Sequence, residues 1–423
     1  MQREFLSKFT LLHARNDIQR AGIDFLLGQG QPPEGFGHLA EVVDPLARVA
    51  LLAQALLTPY KDYARAGSRR EGGGLLELYR NQSFLDALAA RQQQMAALGL
   101  LPAPPDLTPL PAGSFAVHFT FTLRTPYISK DDVGLHILDN PVRKDRVFGL
   151  PMVASTGWKG ALRAALREAN GWGDDHPDLL RLCGDTRDDE TGHAGRLYFY
   201  PTFFTRLGLE VINPHDRQSN AGKQPIYFEC VPAGARGTFS LLYVPFDLIG
   251  QPEEEVKKQT AEDLRRVAEA VSAMMLTYGF SAKRTSGYGM AEERVSNGFV
   301  QIRIEEETQA PSAPTPPPAA PQLSKYLQAP GKLKDEYINP DGSFHERSQA
   351  ELAKMSKPQK QEYEKAKKWW ERQGKVLASQ PPAETGPQPA EPPAPTWLKR
   401  EFYSFAELNA IAEALLKAQG GAQ

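Results

Sequence analysis

At 423 residues, with 41% apolar and 24% charged side chains, the chain has the composition of a globular protein of one large or roughly two to three ordinary domains. A formal net charge of −2 excludes a globally basic nucleic-acid binder, so any polyanion site must be a local patch. Only Cys183 and Cys230 are present, which excludes a disulfide scaffold and leaves no zinc-ligand spacing.

Residues 1–111 are predicted to form a helical extension. The first of them, Met1-Gln2-Arg3-Glu4-Phe5, carry no cleavage-site pattern, and no window has the apolar length of a membrane span; a cytoplasmic protein with no membrane partner is expected. Asp44-Pro45 supplies an N-cap and a first-turn proline, followed by Leu46, Val49 and Leu52 at helical spacing. A second helix is predicted from Phe84 to Leu98, and Pro102 to Pro111 reads as an extended linker.

Residues 112–308 change period. Phe115, Val117, Phe119, Phe121 and Leu123 alternate with smaller or polar residues, which predicts a half-buried strand. A loop and a helix beginning at Ser155 come next, then strand signals near Arg196–Tyr200, Pro225–Cys230 and Thr238–Val244. A long helix is predicted from Pro252 to Tyr278, with Leu264, Val267, Val271 and Met275 on one face, and Val300, Ile302 and Ile304 mark a last strand. Reduced to its core, the order is β-α-β-β-α-β, an α+β protein of the split-βαβ, ferredoxin-like kind, with Gly171–Gly195 as an insertion. Residues 309–396 read as Pro-rich linkers around a basic segment that contains Trp369-Trp370. Residues 397–423 read as a C-terminal amphipathic helix with Phe405, Leu408, Ala412 and Leu415 on one face.

Three places in 112–308 offer chemistry. In the first, a turn-rich loop bearing Asp139, Arg143, Lys144, Asp145 and Arg146 leads to Ser155-Thr156-Gly157 at a helix start. That helix carries Lys159, Arg163 and Arg167 at i, i+4 and i+8, one cationic stripe, while Leu162 and Leu166 face inward. Free backbone amides backed by cations suit a phosphate chain, although an ordinary solvated helix face has the same pattern. In the second, Gly279 to Gly289 combines three glycines with Lys283, Arg284, Ser286, Gly287 and Tyr288; its backbone can approach a polyanion and Tyr288 can stack on a base, while Gly279 also suits a helix C-cap. The third is Asp139, three residues after His136. It fits a metal ligand or an orienting group for RNA cleavage by a 2′-hydroxyl, and equally an Asp that opens the turn before Asn140-Pro141. The residues alone leave these two open.

Taken together, Leu138-Asp139-Asn140-Pro141-Val142-Arg143 with the Ser155-Thr156-Gly157-Trp158-Lys159-Gly160-Ala161-Leu162-Arg163 helix start, Cys183-Gly184-Asp185 with Gly195-Arg196-Leu197-Tyr198-Phe199, and the Gly279–Gly289 loop resemble the RAMP superfamily. These are the RNA-binding backbone proteins of CRISPR effector complexes. The resemblance implies a modified RRM-type, ferredoxin-like domain in a type III complex, gripping CRISPR guide RNA beside target RNA and stacking on other RAMP subunits near a large polymerase-like subunit. It implies RNA contacts at Arg143, Lys144, Ser155, Thr156, Lys159, Arg163, Arg167, Lys283, Arg284, Ser286, Gly287 and Tyr288. It also implies a catalytic and metal-binding role for Asp139, with Mg²⁺ or another divalent cation, if this subunit cleaves target RNA. Two alternatives stay open: a non-catalytic cap at the guide's 3′ end, which the N-terminal extension and Asn213-Pro214-His215 resemble, and a stand-alone guide-processing endoribonuclease centred on His136. Val153-Ala154-Ser155 and Cys183 depart from the family's usual residues.

Overall fold

A computed structural model describes residues 16–56, 58–68, 72–131, 134–185, 192, 194–213, 225–303, 327–329, 332–334, 337, 339, 344–374 and 397–420. Pro214, His215 and the Pro-rich stretches at 309–322 and 381–395 lie outside them. The chain divides into two compact units, Met1–Ile304 with Thr396–Gln423, and Glu305–Pro395.

The first unit opens with helices α1 (Asn16–Leu26), α2 (Pro45–Ala55), α3 (Lys61–Ala66), α4 (Gly74–Leu78) and α5 (Gln82–Ala97). As the sequence predicts, Asp44 caps α2, accepting from the Leu46 amide at 2.9 Å, with Pro45 in the first turn. Asp44 also pairs with Arg91 of α5, and Arg91 donates to the Phe148 carbonyl at 2.8 Å. The helices are thereby fastened to the loop that carries Asp139. Ile23, Leu26, Leu52, Leu75, Leu78, Phe84 and Leu88 form their buried side.

Strand β1 (Phe115–Thr122) follows, then β2 (Met152–Val153), α6 (Ser155–Asn170), α7 (Pro177–Cys183), β3 (Leu197–Phe199), β4 (Thr202–Phe203), β5 (Gly208–Ile212), β6 (Ile226–Cys230), β7 (Arg236–Tyr243), α8 (Glu253–Ala273) and β8 (Arg294–Arg303). Beyond the second unit come β11 (Trp397–Ser404) and α11 (Phe405–Gly420). The main sheet has the order β11-β8-β1-β7-β3, with every pair antiparallel. Without the edge strand β11, the order β8-β1-β7-β3 is the split-βαβ arrangement that the element order predicts. The third expected strand signal, at 225–230, leaves this sheet and pairs with β5 as a separate hairpin ladder.

The core lies between this sheet and its helices. Phe119 stacks on Phe239 at 5.0 Å and meets Phe405 of α11 edge-on at 5.3 Å, while Phe121 faces Trp158 of α6 at 6.0 Å. On α8, Leu264, Val267 and Val271 are buried, as is Met275 in the π-helical turn that continues it (Met274–Tyr278), the face that their spacing predicts.

The expected C-terminal helix needs correcting. Residues 397–404 are a strand, paired with β8 from Trp397 opposite Arg303 to Ser404 opposite Arg294, and the helix begins only at Phe405. Leu398 and Phe402 pack against the core while Lys399, Arg400, Glu401 and Tyr403 are exposed, so the inward residues recur only every fourth position, a spacing that a helical reading absorbs.

The second unit contains a β9 (Leu327–Ala329) and β10 (Lys332–Leu333) ladder, then α9 (Gln349–Lys354) and α10 (Lys357–Trp369). Ser348 and Ser356 each close a capping box. Tyr337, Phe344, Tyr363 and Ala366 make a small apolar cluster against which Trp369 and Trp370 pack.

Candidate nucleic-acid interface

Strand β6 is the platform of the site. Its Glu229 amide donates to the Asn140 carbonyl at 2.9 Å, and Phe228 lies beside Asn140 in a parallel bridge. The Glu229 side chain is only 5% exposed. It accepts from the Val142 amide at 3.0 Å, from the Tyr79 hydroxyl of the extension and from the Lys144 ammonium. A carboxylate so buried needs this saturation. Burial first, then the charge of Glu229, pushes the Tyr79 phenol well above its usual range. Lys144 was expected to contact RNA; the structure instead commits it to this internal pair. Its neighbours Arg143 and Arg146 are exposed and enter no ion pair among the described residues. The turn between them and α6 is set by Asp145, which accepts from the amides of Val147 and Phe148 at 2.9 and 2.7 Å.

Asp139 lies at the outer edge of this loop, 61% exposed, and is gripped by two cations one turn apart on α3, Lys61 and Arg65. The hydrogen bond from Lys61, together with the charge of Arg65, holds its carboxyl below the usual range despite some burial. Arg65 also donates to the Ile137 carbonyl at 3.2 Å and pairs with Asp62 at 3.3 Å. These residues do not fit a divalent ion. Mg²⁺ wants several oxygen ligands, whereas Asp139 is one carboxylate already facing two positive charges, and no group of three or more His, Cys, Asp or Glu suited to a metal occurs among the described residues. His136 lines the wall of a cleft of about 1020 Å³ between the extension and the loop.

At the start of α6, Ala154 occupies the cap position and offers no side-chain acceptor, so Ser155 and Thr156 open the helix without a side-chain cap on its first amides. Trp158 fixes this end from below; it is fully buried and donates to the Thr202 hydroxyl at 3.1 Å. The predicted cationic stripe forms unevenly. Lys159 is exposed, whereas Arg163 and Arg167 share Asp174 of the following loop, each at 3.2 Å. Such surface pairs are weak, so a phosphate can compete for both guanidiniums.

The glycine loop is pinned to residues 126–128. Ser281 donates its hydroxyl proton to the Ile128 carbonyl at 2.8 Å and accepts from the Ile128 amide at 2.7 Å, and the Gly289 amide donates to the Pro126 carbonyl at 2.8 Å. Lys283, Arg284 and Ser286 are left exposed, with the Lys283 ammonium 5.1 Å over the ring of Phe228 on β6. Two distant loops thus meet on one strand. Tyr288, expected to stack on a base, leans instead on Glu210 of β5, its hydroxyl 3.4 Å from the carboxylate. Gly287 has φ +81 in open space, whereas a Cβ on Gly289 would stand 2.3 Å from that of Ser281.

The Gly195-Arg196-Leu197 motif is structural. A Cβ on Gly195 would meet the Cys183 backbone at 2.3 Å, and the nearly buried Arg196 reaches Asp263 of α8 at 3.0 Å and the Tyr243 hydroxyl at 2.9 Å. Burial pushes the Cys183 thiol up to about 11, which makes it unreactive packing. Sequence reasoning missed Lys61, Arg65, Phe228 and Glu229. The i, i+4 cations of Lys61-Asp62-Tyr63-Ala64-Arg65 were visible, but their partner lies 74 residues away from Arg65.

A split-βαβ sheet with exposed cationic loops converging on a hairpin strand defines a ferredoxin-like protein suited to a polyanion. The family model that matches this chain is that of the RAMP superfamily, over residues 107–292. The chain is 30% identical over 186 residues to the CRISPR system Cms endoribonuclease Csm3 of Mycobacterium tuberculosis (strain ATCC 25618 / H37Rv), covering 74% of that protein and 37% of this one. The chain belongs to the RAMP superfamily. Among solved structures, it is similar to a chain of the type III-B Cmr-beta complex bound to cognate target RNA, with 14% identity, a TM-score of 0.38 and coverage of 66% of this chain and 98% of that one. It is also similar to a chain of a CRISPR RNA-guided surveillance complex, with 15% identity, a TM-score of 0.35 and coverage of 72% and 99%. No helix among the described residues is long and apolar enough to cross a membrane.

Proposed function

We propose that this chain is a guide-RNA-binding backbone subunit of a type III CRISPR effector complex, gripping RNA through phosphates and shape rather than base sequence. The observation that carries this reading is a set of exposed cations inside the RAMP-matched region: Arg143, Arg146, Lys159, Lys283 and Arg284, none in an ion pair among the described residues. Their loops also offer backbone amides at the start of α6 and along 279–289. Its partners are guide RNA, target RNA, other RAMP subunits and a large polymerase-like subunit. Co-expression with these proteins and a guide, then purification through this chain, tests the assignment. Recovery of the guide with sibling subunits is expected; recovery of the chain alone, free of RNA, contradicts it.

On cleavage, the ion pairs of Asp139 favour a non-cutting scaffold or cap. The assembled complex carrying Asp139→Asn is expected to give the same target-RNA fragments on a denaturing gel as the wild type. Loss of one set of fragments overturns this and assigns cutting to Asp139.

A further inference from the structure

Asp139, Lys61 and Arg65 raise a question that the RNA-binding reading does not answer: what occupies the edge of this loop if a divalent ion does not fit. The three side chains differ in what they have left to give. Arg65 is only 11% exposed, and three of its five N–H donors go to the Ile137 carbonyl, Asp62 and Asp139, so burial rather than donor count keeps it from a ligand. Lys61 is 36% exposed, and Asp139 is the partner of its ammonium among the described residues. An ammonium has three N–H donors, so Lys61 keeps donor capacity. Asp139 also immobilises the long Lys61 stem, which removes much of the ordering cost that a free lysine pays on binding. With Asp62 counted, the two cations and two carboxylates of the clamp balance, and the net positive charge of this edge comes from Arg143 and Arg146 of the same loop, both exposed.

We propose that Lys61, held in place by Asp139 with Arg65 as the positioning residue behind it, binds a backbone phosphate of the RNA at this loop. The N-terminal helix thereby supplies an ammonium donor at a position where the family resemblance implies a metal ion. The proposal rests on the RNA-binding reading above and adds to it a specific contact from outside the RAMP-matched region, since Lys61 precedes residue 107.

The test is filter binding of the full chain to a mixed-sequence single-stranded RNA across a salt series, with Mg²⁺ or with EDTA at matched ionic strength. One lost phosphate contact flattens the slope of log affinity against log salt by about 0.7 for a single strand. Lys61→Gln is expected to show that loss, Lys61→Arg to keep the wild-type slope, and the Mg²⁺ and EDTA curves of the wild type to coincide. If Lys61→Gln melts early, Lys61→Met keeps the packing of the stem and is read the same way. A wild-type slope in a folded Lys61 variant overturns the proposal, leaving Lys61 a tether between α3 and the loop; so does loss of sibling-subunit binding without any change in RNA affinity. Affinity that rises with Mg²⁺ in the wild type but not in Asp139→Asn overturns it in favour of a metal. A wild type that binds no RNA overturns the parent reading, and this one with it.

Discussion

Lys144 of the Asp139 loop donates its ammonium to Glu229 on β6, a carboxylate shielded from water on all sides but that of its partners. The pair joins loop to hairpin. Lys144→Ala strips one of the three partners from a buried charge and is expected to cost about 1–3 kcal/mol, with the RNA salt slope unchanged once the protein is folded. Urea unfolding gives the first quantity and filter binding the second. A variant that keeps its stability but loses a phosphate contact would return Lys144 to the RNA surface.

The Asp139 clamp depends on pH in a definite direction. Its carboxyl is depressed in the folded chain, chiefly by Lys61, so its stabilising contribution is complete above the ordinary carboxylate value of about 4 and disappears as pH falls through the lowered folded value. Thermal melts of wild type and Asp139→Asn are expected to differ slightly at neutral pH and to converge in acid. A gap that stays constant into strong acid rules out the ion pairs as its source.

Gly287 and Gly289 have different jobs in the same loop. Alanine at Gly289 collides with Ser281 and disturbs its two bonds to Ile128, so a clear drop in melting temperature is expected. At Gly287 the space is open, and alanine pays only for its left-handed backbone, about 1–2 kcal/mol. Equal losses from both would show that the loop does not rest on the 126–128 segment as described.

Much of this was legible in the sequence because it is local. The alternation from Phe115 to Leu123, the cap at Asp44 and the glycine spacing of 279–289 act over a few residues. What escaped depends on contacts between distant segments. Nothing near Glu229 announces that it will be buried, because its partners Tyr79 and Lys144 come from other parts of the chain. The strand at 397–404 forms because β8 offers an open edge, and the exposed Arg400 between Leu398 and Phe402 hides the alternation that would announce it. The stripe on α6 was read correctly as geometry, but Asp174, which shares two of its cations, lies in the insertion beyond the helix.

That sharing has a consequence. Asp174→Asn releases Arg163 and Arg167 from a surface pair and is expected to tighten RNA binding and steepen its salt dependence, with melting almost unchanged because such pairs are weak. Isotherms that overlay the wild type would place Arg163 and Arg167 off the RNA path and leave Lys159 as the contact on this helix.

The most direct measurement is the salt dependence of RNA binding by the full chain and by a variant with Lys159, Lys283 and Arg284 all changed to Gln. These three are exposed, sit on two separate segments, helix α6 and the 279–289 loop, and enter no ion pair among the described residues. If they hold phosphates, the slope of log affinity against log salt flattens by about 2, to the same extent on RNAs of unrelated sequence, while the melting temperature holds. Slopes that overlay for wild type and variant, or a loss confined to one base sequence, would contradict phosphate-based guide binding by this subunit.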